Sequence, residues 1–118
     1  MWTIAFPWPP KCLSPNGRAH WAVKAKAAAQ VRRDASILCQ SMGARALGWD
    51  RMHVAYEFRP ATRRTFDTDN ALSRCKALGD GIADATGVDD SKWTITIRRG
   101  EPVKGGAVVV TISKMERE

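Results

Sequence analysis

Hydrophobic residues alternate with polar or small ones in three places along the chain, form a β-branched run in a fourth, and recur every three or four positions in two others. Trp2, Ile4, Phe6 and Trp8 alternate with Thr3, Ala5 and Pro7, the period-two pattern of a strand with one buried face. Pro7, Pro9 and Pro10 place that strand at a sheet edge and end it there. The turn residues Ser14-Pro15-Asn16-Gly17 follow. From Arg18 to about Arg45 there is no proline and alanine is dense. Trp21, Ala25, Ala28, Val31, Ala35, Leu38 and Met42 recur there at spacings of 3 and 4, one apolar stripe of a long helix. A second strand is predicted where Met52, Val54, Tyr56 and Phe58 alternate with His53, Ala55, Glu57 and Arg59. Asp67 to about Thr86 reads as a second helix with its approach. Asp69 is placed to cap its start, Leu72, Cys75, Leu78 and Ile82 form its apolar side, and Gly87 is a natural C′ residue. Trp93, Ile95 and Ile97 alternate in a third strand. Ala107–Ile112 is a β-branched fourth, with Gly100–Gly106 expected as a long hairpin loop. The order β-α-β-α-β-β predicts an α+β fold, a small mixed sheet with two helices on one face, in a single domain over residues 1–118.

Composition and charge narrow the function. Apolar residues make up 44% and charged residues 26% of 118, which supports an ordinary core and excludes disordered and collagen-like classes. A chain this short is expected to need a second subunit to build a deep cleft. Nineteen Lys and Arg against twelve Asp and Glu give a net charge of +7 and a pI of 9.8, which points to a polyanionic partner. The apolar runs fall far short of the roughly 20 residues a membrane span needs, so no membrane partner is expected. Met1 to Phe6 carries no basic n-region and runs into Pro7, unlike a signal peptide. Three cysteines without a CxxC argue against a disulfide framework or a zinc site, so the expected setting is cytoplasmic. Lys24, Lys26, Arg32 and Arg33 lie off the apolar stripe of the first helix and form either a solvated face or a phosphate-facing one; Lys24 and Arg32 are carried forward as candidate DNA contacts.

The acidic residues carry the chemistry. In Phe66-Asp67-Thr68-Asp69-Asn70, residues i and i+2 of an extended approach point to the same side, so the two carboxylates converge. Close carboxylates repel unless a cation sits between them or one is protonated. Asp89-Asp90 form a second pair just before the Trp93 strand. If the strands over 53–59 and 93–98 are neighbours, the pairs could meet in an all-oxygen site of the kind Mg²⁺ prefers. Taken singly, Asp69 could be a helix cap and Asp89-Asp90 a polar turn. A concentrated acidic spot on a basic chain suits a metal-dependent phosphodiester enzyme. On a continuous helix Asp69, Ser73, Lys76 and Asp80 share a face. Lys76 there either neutralises charge on a phosphate oxygen or pairs with Asp80 at i+4. Arg59, Arg63 and Arg64, just before Asp67, are candidate phosphate contacts or a solvated loop. His20 and His53 make no metal pair, and the nucleophile-elbow, Walker-A and dinucleotide-binding patterns are missing.

The combination Asp67-Thr68-Asp69-Asn70, Lys76, Asp80-Gly81-Ile82-Ala83-Asp84 and Gly87-Val88-Asp89-Asp90-Ser91 resembles the RusA family of Holliday junction resolvases, its phage-type members above all. Upstream, Phe6-Pro7-Trp8-Pro9-Pro10, Asn16 and Trp21 follow in the expected order. The resemblance implies a homodimeric α+β endonuclease that binds four-way junction DNA and makes paired nicks with Mg²⁺, Mn²⁺ being able to substitute. By position it implies that Asp67, Asp69 and Asp90 are the metal-binding triad, Lys76 the catalytic lysine, and Asp89, Asp80 and Asn70 supporting residues. Two positions depart from the family pattern. Its best-known bacterial form has the lysine four residues after the second Asp, which is Ser73 here, and Phe66 stands where an Arg is common. Two other readings stay open: a non-catalytic junction-binding protein, and a nuclease for flaps or other branched DNA.

Overall fold

The computed structural model describes residues 1–15, 18, 20–63 and 66–115. Its elements run β1 (Trp2–Pro7), α1 (Trp21–Ser41), β2 (Met52–Arg59), α2 (Thr68–Arg74), α3 (Lys76–Thr86), β3 (Trp93–Arg99) and β4 (Ala107–Lys114), with short 3₁₀ turns at Lys11–Leu13 and Asp90–Lys92. The four strands form one mixed sheet in the order β1-β4-β2-β3. β4 is antiparallel to both β1 and β2, and β2 is parallel to β3.

The register explains which face is buried. One row across the sheet is Ile4–Val110–Tyr56–Ile97 and the next is Trp2–Ile112–Val54–Ile95. Ile4, Phe6, Met52, Val54, Tyr56, Phe58, Val108, Val110 and Ile112 are buried on this side against Ala35 and Cys39 of α1 and Ala71, Leu78, Ile82 and Ala85 of α2 and α3. Burying apolar area of this kind stabilises by about 25 cal/mol per Å². The opposite face carries Thr3, Thr111, Ala55, Thr96 and Arg98, and no helix of the described residues covers it. α1 and α3 approach closely at Gly81, where a Cβ would stand 2.3 Å from the Arg32 carbonyl oxygen. Arg32 of α1 also clamps Asp84 of α3 with two hydrogen bonds of 2.6 and 2.9 Å.

Several expectations change. The single helix over 67–86 is two, broken at Cys75 (φ −93°, ψ 12°), so the sheet is covered by three α-helices rather than two. The cap of α2 is Asp67 and not Asp69: its carboxylate accepts from Asp69 N at 2.9 Å and Asn70 N at 3.4 Å. The first helix is shorter than 18–45. His20 caps it by accepting from Ala22 N, and its stripe ends leave the core, with Trp21 74% and Met42 48% exposed. Gly100–Gly106 is not a hairpin loop, because β2 lies between β3 and β4 and the segment crosses its end. Gly87 does close α3 in the left-handed conformation (φ +76°) that glycine adopts without strain.

Candidate active site

Residues 66–67 are set by an aromatic cluster. Phe66 meets Trp8 and Phe58 edge-on at 5.7 and 6.3 Å between ring centroids. The Arg99 guanidinium lies over the Phe66 ring at 4.9 Å and donates to the Phe66 carbonyl at 2.7 Å. Arg74 of α2 ties the other side down through the Pro9 and Pro10 carbonyls. Phe66 therefore serves as an anchor that fixes the backbone immediately before Asp67. The guanidinium beside it comes from β3, 33 residues downstream, a partner no local spacing indicates.

The break at Cys75 starts a new helix at Lys76 and swings its side chain toward the end of the β3 approach. Lys76 Nζ donates to Asp80 Oδ1 at 2.7 Å and stands 3.6 Å from Asp90 Oδ2. The Asp80 carboxylate, hydrogen-bonded to this ammonium, holds its pKa above the ordinary lysine value, and Asp90 adds to the effect. The three side chains lie along a groove of about 250 Å³ that is also lined by Tyr56, Ser73, Cys75, Trp93 and Ile95. Burial pushes the Tyr56 hydroxyl up, with Cys75, Asp80 and Asp90 acting in the same direction, and burial raises the Cys75 thiol to about 12. Trp93 is held by its Nε1 donating to the Val88 carbonyl at 2.9 Å. Gly79 lets α3 lie against this wall: a Cβ there would come within 3.3 Å of the Tyr56 hydroxyl. Asp89 caps the 3₁₀ turn that presents Asp90. The Ser91 hydroxyl and N–H both donate to its carboxylate and pull its pKa down.

The expected residues are thus partly gathered. β2 and β3 are neighbours, and the acidic residue that the β3 approach brings to α3 is Asp90, which meets Lys76 and Asp80. Asp67 caps α2 and Asp69 lies in its first turn, upstream of Ser73, which lines the groove; neither aspartate lines the groove itself. Asp67 and Asn70 together line a separate pocket beside Trp8, Pro9 and Phe66, where Asn70 Oδ1 lies 3.5 Å from Ser14 Oγ. All four aspartates offer the hard oxygen donors that Mg²⁺ takes. Among the described residues no three acidic, histidine or cysteine side chains converge tightly enough to hold a metal ion.

Of the candidate DNA contacts, Arg59 donates to the Glu101 carbonyl at 3.0 Å and Arg63 lies 3.4 Å from the Glu101 carboxylate. Arg32 is the Asp84 clamp, Lys24 is half-buried on α1, and Arg64 lies outside the described residues. Sequence reasoning missed Tyr56, Trp93 and Arg99. The first two read only as apolar positions of strands, and nothing in a period-two pattern tells a wall residue from a core one.

No family model matches the chain. Over 127 aligned positions it is 37% identical to an uncharacterized protein of Xylella fastidiosa strain Temecula1, in an alignment that covers 100% of this chain and 80% of that protein.

Proposed function

We propose that this chain, which belongs to the same family as that Xylella fastidiosa protein, is a divalent-metal-dependent endonuclease of the RusA type. It nicks four-way DNA junctions in recombination, repair or phage DNA processing. The observation that carries this reading is a lysine set between two carboxylates in an open groove (Lys76 with Asp80 and Asp90) on a chain of net charge +7. The positive surface draws the phosphodiester backbone, an attraction that weakens as salt rises. The groove then receives one phosphate. Lys76 exchanges its Asp80 hydrogen bond for a phosphate oxygen and neutralises the charge that develops there. Asp80 and Asp90 hold the ammonium in place until the phosphate arrives.

The resemblance assigns the cation to Asp90 with Asp67 and Asp69; their oxygens are the donor type a hard cation takes, but among the described residues the three do not converge, so this part of the reading requires them to be drawn together when the cation and DNA bind. The cation would lower the pKa of a bound water and polarise the phosphate. Asp67, whose Oδ1 is committed to the helix cap, has its second carboxylate oxygen to offer. Symmetric nicks across a junction need two such sites related by a twofold axis, so the working form in this reading is a homodimer.

A second reading, a junction-binding protein without cutting activity, is favoured by one feature. The position four residues after Asp69 is Ser73, and the lysine that replaces it, Lys76, is already bound by Asp80. Incubation of a labelled four-way junction with Mg²⁺, Mn²⁺ or EDTA, with flap and linear duplexes as competitors at fixed salt, separates the readings. Metal-dependent paired nicks in the junction are expected. Nicking confined to the flap would make the protein a branched-DNA nuclease, and tight junction binding without nicking under either metal would make it a binding protein.

A further inference from the structure

We infer that Trp21, with His20 beside it, is a stacking platform for an unpaired base of single-stranded DNA. The inference rests on the nucleic-acid partner proposed above and not on nicking. Trp21 opens α1 and is 74% exposed. The other four tryptophans, Trp2, Trp8, Trp49 and Trp93, all pack against the core, and Trp21 alone does not. Its neighbour is nevertheless held in place. His20 Nδ1 accepts from Ala22 N at 3.1 Å and caps the helix, which fixes an imidazole 5.5 Å from the indole at an interplanar angle of 35°. Two exposed rings therefore stand side by side at the start of a 21-residue helix. Ordered ring faces open to water are the surface on which a nucleobase stacks.

The charge around the rings selects the partner. No Asp or Glu occurs in the chain before Asp34, whereas Lys11, Arg18, Lys24, Lys26, Arg32 and Arg33 all do. Arg32 is committed to Asp84, and Lys24, three residues after Trp21, falls on the same face of the helix. A partner that combines negative charge with flat apolar faces suits this surface. Single-stranded DNA offers a phosphate and a π-face at every nucleotide, while a duplex keeps its base faces inside the stack. A membrane surface also joins negative charge to apolar matter. Among the large apolar side chains of α1, however, only Trp21, Val23 and Ile37 are exposed. Ile37 lies more than four turns from Trp21, so the helix lacks the continuous apolar face that beds into lipid.

The platform is tethered close to the candidate site. Ser14 lines one pocket with Asp67 and Asn70. Only six residues of chain lead from Ser14 to His20, a span of at most about 22 Å. A strand whose phosphate lies near the aspartates can thus place a base a few nucleotides away on Trp21.

The test requires no activity. Affinity is measured in EDTA for a short labelled oligothymidine and for an abasic strand of the same length and charge, which keeps the phosphates and lacks the bases. Wild type should bind oligothymidine at least about fivefold more tightly than the abasic strand, the scale of one base–aromatic stack. Trp21→Ala should erase that preference and Trp21→Phe should keep most of it. The salt dependence should be the same in all three, because neither substitution changes a charge. All three should also melt alike, since the indole makes no core contact. Equal wild-type affinity for the two strands, or Trp21→Ala binding oligothymidine as tightly as wild type, would overturn the platform. Trp21-dependent binding to phosphatidylserine vesicles without any base preference would overturn it too and make Trp21 a membrane anchor. A Trp21-dependent base preference in a protein that nicks no junction under Mg²⁺ or Mn²⁺ would uphold the platform and remove only the nuclease reading.

Discussion

Asp67 has two roles in this account, and they separate under substitution. Its Oδ1 accepts from Asp69 N at 2.9 Å and Asn70 N at 3.4 Å and so caps α2, while its charge is assigned to the cation site. Asp67→Ala removes both. Losing a cap of this kind costs about 1 kcal/mol, and losing a negative charge at a helix N-terminus costs a further 0.3–1, roughly. Asp67→Asn keeps the cap, since Asn and Asp cap equally well, and loses only the charge. Unfolding entropy is about 2.1 cal/mol/K per residue. Over 118 residues, about 1.5 kcal/mol corresponds to a drop in Tm of roughly 6 °C for Asp67→Ala, and about 0.5 kcal/mol to roughly 2 °C for Asp67→Asn. Thermal unfolding followed by circular dichroism reads the first role, and junction nicking by the folded variants reads the second. Both variants should lose nicking by at least about a hundredfold, the scale of removing a directly acting charge. Equal melting of the two variants would show that the carboxylate is not the cap. Wild-type nicking by Asp67→Asn would remove Asp67 from the cation site.

Two further outcomes test the frame that carries the site. Gly81→Ala places a Cβ 2.3 Å from the Arg32 carbonyl oxygen and 2.7 Å from Ala35 Cβ, obstacles that include rigid backbone. The overpacking cost of about 1–3 kcal/mol outweighs the gain of about 1 kcal/mol in helix propensity, so urea unfolding should show a net loss; a stabilised Gly81→Ala would mean that α1 and α3 are not in contact there. The Arg32 guanidinium, hydrogen-bonded to Asp84, holds that carboxyl below its ordinary range. Its stabilisation is fully present above the unfolded carboxyl pKa of about 3.9 and is lost as pH falls through the lower folded value. The Tm difference between wild type and Asp84→Asn should therefore be seen at neutral pH and vanish at strongly acid pH, and a difference that persists in acid would count against the ion pair.

Strands were the most legible part of the chain: the buried faces of β1 and β2 write a period-two pattern, and β4 shows as a β-branched run. The same pattern misled at β3, where Ile95 and Ile97 alternate as buried residues do yet lie beyond the reach of the helices. Strand order was not legible, since β4 enters between β1 and β2 on grounds no local residue records, and the 100–106 segment looks like any glycine-rich hairpin. The break at Cys75 was hidden because Leu72, Cys75 and Leu78 keep a helical spacing through it. At the site, the encounter of Lys76 with Asp80 was readable from i+4 spacing; the adjacency of β2 and β3 was expected to bring Asp89-Asp90 to Asp67 and Asp69, and it brings Asp90 to Lys76 instead. The capping role was assigned two positions late, to Asp69 in place of Asp67, because the two are chemically equivalent caps and the chain alone does not say where the first turn begins.

The most direct measurement is nicking of a labelled four-way junction in Mg²⁺ by wild type and by Asp90→Asn, with junction affinity measured on the same samples in EDTA. Asp90 is exposed, at the start of a 3₁₀ turn that Asp89 caps, so its substitution should leave folding and affinity nearly unchanged. The account predicts symmetric, metal-dependent nicks by wild type and none by Asp90→Asn. Equal nicking by both, or loss of junction binding in Asp90→Asn, would contradict it.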